Sequence, residues 1–287
     1  MSYLRVLALT SFAMLAFAGN SLLCRLALKH THIDAASFTT IRLLSGAAML
    51  WLVVRVRRGA RSGHGSWLSA LALFAYAAGF SFAYISLSVA TGALLLFGAV
   101  QATMIGVGVW RGERLHGPQL VGLVLALGGL VGLLLPGLSA PPIKAAVLML
   151  GAGVAWGVYS LRGQGAGDST NVTAGNFLRA APMALALSLF LARGTSLDRS
   201  GVVYAAASGA LASGLGYAIW YAALPALRST TAAVVQLCVP VITTLLGLAL
   251  LAEPITLRVI LASGAILGGI ALVVLGARRA QGRGLRS

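Results

Sequence analysis

Tyr76, Phe80 and Tyr84 stand at i, i+4 and i+8, and Tyr217 and Tyr221 repeat the four-residue interval with Trp220 beside them. On a helix this spacing lines side chains along one face. Rings with polar tips arranged this way have two uses: they pack helix against helix or form an interfacial belt, or they line a cavity for an amphipathic molecule. Asn20, Gln101, Gln236, Trp156, Tyr159 and Asn176 add hydrogen-bonding groups inside long apolar stretches. An unpaired polar group in hydrocarbon costs about 2 to 7 kcal/mol, so each needs a partner, either neighbouring backbone or a bound molecule. Rings and amides together suit a small zwitterion or amide. The candidate binding set is Asn20, Tyr76, Phe80, Tyr84, Gln101, Trp156, Tyr159, Tyr217, Trp220, Tyr221 and Gln236.

Other chemistries lack their residues. All five acids, Asp34, Glu113, Asp168, Asp198 and Glu253, and all four histidines fall at loops or ends of apolar runs. No HExxH or GxSxG is present, so an intramembrane enzyme is not indicated. Cys24 and Cys238 lie in apolar runs without CxxC or CxxH neighbours, which predicts buried packing rather than a disulfide or a metal site. No cofactor is expected. With no central ionisable acid to carry a proton, facilitated diffusion or exchange is expected over proton coupling.

The elements holding these residues must be membrane helices. Of 287 residues 59% are hydrophobic and 9% charged, against about 25% charged in a soluble domain. Ten continuously apolar runs of about the 20 residues needed to span a bilayer fall at 5–28, 36–56, 66–88, 91–110, 117–136, 143–162, 173–192, 201–223, 230–252 and 258–276. Continuous runs, without the alternation of a lipid-facing strand, predict an all-α protein rather than a barrel. Ala16-Phe17-Ala18 imitates a signal-peptide cleavage site, but the run continues through Leu22 and Leu23, so a retained first span is expected. With both termini in the cytoplasm, 13 basic residues lie at inner ends and 6 at outer ends, with Arg42 and Arg179 inside spans. The positive-inside rule favours that orientation. The net charge of +16 therefore reports orientation, not a nucleic-acid partner.

Landmarks recur at nearly one offset. Arg42 and Arg179 are 137 apart, Tyr84 and Tyr221 137, Gly19 and Gly157 138, Glu113 and Glu253 140, and Gly128-Gly129 and Gly268-Gly269 140. The expected organisation is two five-helix repeats, residues 1–138 and 139–287. An odd number of spans inverts the second against the first, a route to alternating access. Arg42 and Arg179 lie about six residues, roughly 9 Å, into their spans. They can bind a substrate carboxylate, but equivalent positions in opposed repeats favour gating or structural contacts near opposite faces. Glu113 and Glu253, followed closely by Arg114 and Arg258, read as closing-end contacts. Pro240, four residues after Gln236, is expected to bend span nine and gate the cavity.

The runs Phe17-Ala18-Gly19-Asn20-Ser21, Phe38 to Arg42 and Gly112-Glu113-Arg114-Leu115, with their counterparts Ala155-Trp156-Gly157, Asn176 to Arg179 and Ala252-Glu253-Pro254-Ile255-Thr256, resemble the drug/metabolite transporter superfamily, EamA-type branch. The chain looks most like bacterial amino-acid exporters of the YddG type. The resemblance implies a multi-pass carrier in the bacterial inner membrane. Its partners would be a small-molecule substrate, amino acids by export or exchange, and the lipid bilayer, with a monomer allowed. Another substrate of the superfamily, such as a nucleotide sugar, drug or lipid headgroup, stays open, as does a membrane scaffold.

Overall fold

The computed structural model describes residues 3–57, 64–112, 117–135, 137, 140–163, 167–227 and 235–284, and among them the chain is helical with no strand. In chain order the helices are α1 Tyr3–His30, α2 Ala35–Val56, α3 Trp67–Tyr84, α4 Val89–Trp110, α5 Gly117–Leu134, α6 Ile143–Gly163 and α7 Ser169–Phe190. Then come α8 Arg199–Ala223, α9 Cys238–Leu251 and α10 Leu257–Gly284. The first eight are long and apolar enough to cross a membrane, and Cys238–Leu251 and Leu257–Val273 are shorter apolar helices. Bulky side chains such as Trp110, Phe190, Leu189 and Leu178 stand well exposed around the bundle. That surface is tolerable in lipid and not in water. The ten expected spans are all represented, and the protein is an all-α, ten-helix, multi-pass membrane protein.

At two helix starts that differ from hydropathy, a cap decides. Asp168 accepts from the Thr170 and Asn171 amides and starts α7 at Ser169, ahead of the expected 173. Ser88 accepts from the Thr91 amide and starts α4 at Val89, so α3 ends at Tyr84 instead of 88. A cap satisfies amides that have no helical acceptor in the first turn, a signal that averaged hydropathy does not carry.

Asp34 caps α2 by accepting from Ala36 and Ser37 at 3.0 and 2.9 Å, and its other oxygen takes the Ser196 amide at 3.0 Å, tying the α1–α2 turn to the loop after α7. Burial by itself would raise this carboxyl, but the hydrogen bonds from Ser37, Ser196 and Ala36 outweigh it and hold the group below its ordinary 3.8. A lowered carboxyl contributes stability that is complete above the unfolded value and fades as pH falls through the lower folded one. Asp34→Ala is expected to cost about 1 kcal/mol. In thermal melts the gap to wild type stays constant above about pH 5 and narrows below about pH 4.

The principal packing pairs are α5–α10, α3–α6, α4–α6, α2–α7, α2–α8, α3–α7, α1–α8, α1–α9 and α4–α9. Exchange of the first five helices with the last five maps most of this set onto itself. The contact of α3 on α6 answers α8 on α1, α4 on α6 answers α9 on α1, and α3 on α7 answers α8 on α2. Helices α2 and α5 meet their own counterparts, α7 and α10. At α5–α10 the contact is backbone to backbone: a Cβ on Gly122 would lie 2.5 Å from the Gly269 carbonyl oxygen, and one on Gly129 2.8 Å from the Ala265 Cβ. Small residues at such crossings replace the hydrophobic drive that lipid does not supply.

Candidate functional site

Helices α1, α3, α4, α6 and α8 converge on a cavity lined by Phe17, Asn20, Ser21, Tyr76, Phe80, Leu96, Phe97, Trp156, Ala212, Ser213, Tyr217 and Gln236. Its free volume is about 40 Å³, room for a few waters and far below the roughly 300–1,000 Å³ of a pocket holding a drug-sized ligand. As it stands the cavity is too narrow to hold a ligand of that size.

Trp156 on α6 is the hub of the aromatic wall. Its ring centroid lies 4.7 Å from that of Tyr76 on α3, 5.3 Å from Tyr217 on α8 and 5.3 Å from Tyr159 one turn along. Phe17 meets Tyr217 edge-on at 5.6 Å and Tyr76 meets Phe80 at 5.4 Å. A polar thread crosses the same wall. Ser208 donates to the Asn20 amide oxygen at 2.7 Å, and the Asn20 amide nitrogen donates to the Tyr76 hydroxyl at 3.3 Å. Arg42 reaches that hydroxyl from behind, donating from Nη2 at 3.0 Å and from Nε to Ser213 at 3.4 Å. The Arg42 side chain is 1% exposed, and its guanidinium carbon sits 5.2 Å from the Tyr76 ring centre and 4.9 Å from that of Phe80.

Ser208 and Ser213 reach this position because Ser208–Leu215 of α8 is wound as a π-helix. The wider turn departs from the α pattern next to the cavity, a common placement for such segments at functional sites. At its start Gly209 lies against the Arg42 carbonyl and the Ser45 hydroxyl of α2, so closely that a Cβ has no room.

One end of the bundle is closed by a buried ion pair. Arg25 Nε donates to Glu253 Oε1 at 3.0 Å, with side-chain exposures of 9% and 7%. The Arg25 Nη1 group donates to the carbonyls of Tyr84 and Ile85, and Glu253 Oε2 accepts the Val89 amide at 2.7 Å. This cluster joins α1, the α3–α4 connection and the α9–α10 connection. Lys29 lies 3.8 Å from the same carboxylate. At the opposite end the Asn176 side chain accepts the Ser66 amide at 2.8 Å, and Arg162 donates to Ser69 at 3.2 Å.

Of the eleven candidate binding residues, the structure gathers Asn20, Tyr76, Phe80, Trp156, Tyr217 and Gln236 at the cavity. Tyr84 is fully buried toward the Glu253 end, its ring against Phe80 at 4.7 Å and over Gly92. Tyr159 is buried with its hydroxyl toward Thr173 and Asn176. Trp220 packs in a satellite cluster with Ala13, Met14, Ala18 and Val239, where half-buried Tyr221 also packs. Gln101 is half-buried on α4, away from the cavity wall. Arg179, half-buried, donates to the His64 and Gly175 carbonyls rather than to the cavity. Helical residues resume at Cys238 after a break at Leu237, and Pro240, lacking an N–H, leaves the Gln236 carbonyl without its helical donor. Glu113 lies outside the described residues. Phe17, Ser21 and Ser213 were not in the predicted set. Phe17 had a signal, three residues before Asn20 on the same helical face, and so had Ser21, four residues after Phe17, whereas Ser213 depends on the π winding.

Residues 143–275 match the EamA-like transporter family. The uncharacterized protein PA1977 of Pseudomonas aeruginosa is 58% identical over 271 residues, covering 94% of each chain. One solved crystal structure, 19% identical, superposes with a TM-score of 0.68 over 97% of this chain and 100% of its own, a likeness of fold alone. The chain belongs to one family with the Pseudomonas protein, and its own residues 143–275 carry the match to the EamA-like transporter family.

Proposed function

We propose that the protein is an inner-membrane carrier for small amphipathic metabolites, amino acids by export or facilitated exchange, working by alternating access between inverted repeats 1–138 and 139–287. The observation that carries this reading is the central cavity, with a wall of Phe17, Tyr76, Trp156 and Tyr217 for an apolar body and Asn20, Ser21 and Gln236 for polar groups. The repeat reading draws support from packing pairs that survive exchange of the two halves. A closure that holds one end while the central cavity is narrow fits a carrier between openings. With both termini in the cytoplasm, the Glu253 end faces outward.

No acid among the described residues lines the cavity, which favours exchange or facilitated diffusion over proton coupling. A nucleotide-sugar carrier would need several cations converging on phosphate. Among the described residues only Arg42 adjoins the cavity wall in that role. Counterflow into liposomes preloaded in turn with amino acids, nucleotide sugars and cationic drugs tests the reading. Amino acids are expected to accelerate uptake of labelled substrate, undiminished by a proton ionophore. Exchange confined to another class would overturn the amino-acid assignment, and uptake abolished by the ionophore would overturn the coupling.

A further inference from the structure

Arg42 is almost fully buried, 1% exposed, and none of the ion pairs and caps described above compensates its charge. A guanidinium keeps its proton at any accessible pH, and burying it without a counter-ion in a membrane interior is costly. The four described acids are engaged elsewhere. Glu253 pairs with Arg25, Asp168 lies by Arg57, and Asp34 and Asp198 cap helices. What Arg42 has is one phenol, one serine hydroxyl at long range and two aromatic faces. Its Nη1 is buried with no hydrogen-bond partner among the described residues. A purely structural arginine fixed between α2, α3 and α8 would gain from a full set of acceptors, such as the helix-end carbonyls that Arg25 has. This one keeps an open donor one hydroxyl away from the cavity, since both its hydroxyl partners, Tyr76 and Ser213, belong to the cavity wall.

Resting on the carrier reading above, we propose that Arg42 is the receptor for a carboxylate on the transported molecule. The anion docks on the guanidinium between Tyr76 and Ser213, and the apolar remainder lies against Trp156 and Tyr217. A single permanent cation with no acid beside it selects a monocarboxylate group. An accompanying ammonium meets only neutral acceptors and ring faces, so it is tolerated rather than required. The repeat mate Arg179 is spent on backbone carbonyls, so the receptor is present in one half only and fixes which end of the molecule goes where.

The test uses three probes with one phenyl-ethyl body, L-phenylalanine, L-phenylalaninamide and 3-phenylpropionate, in thermal-shift titrations of the purified protein and in counterflow. Both acids are expected to bind at least about tenfold better than the amide, the scale of a hydrogen bond to a charged group. Arg42→Gln is expected to erase that preference, while Gly151→Ala, an exposed position on α6 where an added Cβ meets nothing within 4 Å, retains it. Should Arg42→Gln not fold, Arg42→Lys keeps the charge without the fork, and acid binding is expected to weaken with the preference intact. An amide bound as well as the acids, or a preference that survives Arg42→Gln, overturns the Arg42 assignment. Binding of 3-phenylpropionate without L-phenylalanine leaves it standing and removes the amino-acid reading. Equal binding of L-phenylalanine and its amide does the reverse, and no binding by any probe refutes both.

Discussion

Glu253→Gln is expected to be the most destabilising single change considered, lowering stability by about 3–5 kcal/mol and loosening the end of the bundle it closes. The carboxylate neutralises a nearly buried Arg25 and also accepts the amide that begins α4. Glutamine keeps the shape and one acceptor but leaves the guanidinium with only the Tyr84 and Ile85 carbonyls. Desolvation of Arg25 remains while its Coulombic return is lost. Cys238 is exposed, against the burial expected for it, so melting in detergent and reaction of a water-soluble thiol reagent with Ser21→Cys in a Cys238→Ser background give two readouts. Glu253→Gln should lower the first and speed the second. The exchanged pair Arg25→Glu with Glu253→Arg should recover part of both. An unchanged melting temperature would mean that water reaches the pair, because an exposed ion pair is worth at most about 1 kcal/mol.

Gly209→Ala is expected to disable the site without touching a cavity residue. The added Cβ would lie 2.8 Å from the Arg42 carbonyl carbon and closer still to the oxygen and to the Ser45 hydroxyl. Backbone cannot swing aside as a side-chain end can, so α8 must retreat from α2. Retreat lengthens the Arg42–Ser213 contact, already 3.4 Å, and pulls Ser208 from Asn20. Overpacking of this kind costs about 1–3 kcal/mol. Gly151→Ala on α6 is the control, because its Cβ would meet nothing within 4 Å and helix propensity alone should stabilise by up to about 1 kcal/mol. Melts and counterflow should separate the two. Equal behaviour would show that the α2–α8 contact is slack in the bilayer.

The spans were legible because each is one uninterrupted apolar run, and hydropathy over 20 residues averages away local error. Caps corrected the ends: Asp168 and Ser88 were visible as residue types, but nothing in hydropathy gives them precedence. At the site, the i, i+4 spacing found Tyr76, Phe80 and Tyr217, then overshot to Tyr84 and Tyr221. A face that drifts around the helix axis leaves a cavity after about two turns, and the sequence does not say where the cavity stops. Glu253 shows a different limit. The sequence reads it as a closing-end contact but does not name its partner: Arg258 nearby donates to the Leu135 carbonyl, and the ion-pair partner is Arg25, 228 residues away. Arg42 sits about as deep along its helix as expected, but what surrounds it depends on the π stretch of α8, which no residue pattern announced. Ser208 and Ser213 are invisible for the same reason, since lone serines are common in membrane helices.

The pairing of α5 with α10 sets an order on biogenesis. Helix α5 touches little besides α4 and α10, and its small-residue face at Gly122, Ala126 and Gly129 is shaped for a strand of chain that begins at Leu257. Ribosomes add about 5–20 residues per second, so α5 waits on the order of ten seconds in the membrane before its mate is made. During that interval lipid or the insertion machinery must cover the face, and a chain truncated before Leu257 would keep it uncovered permanently, marked for the cell's quality control by the absence of its last helix.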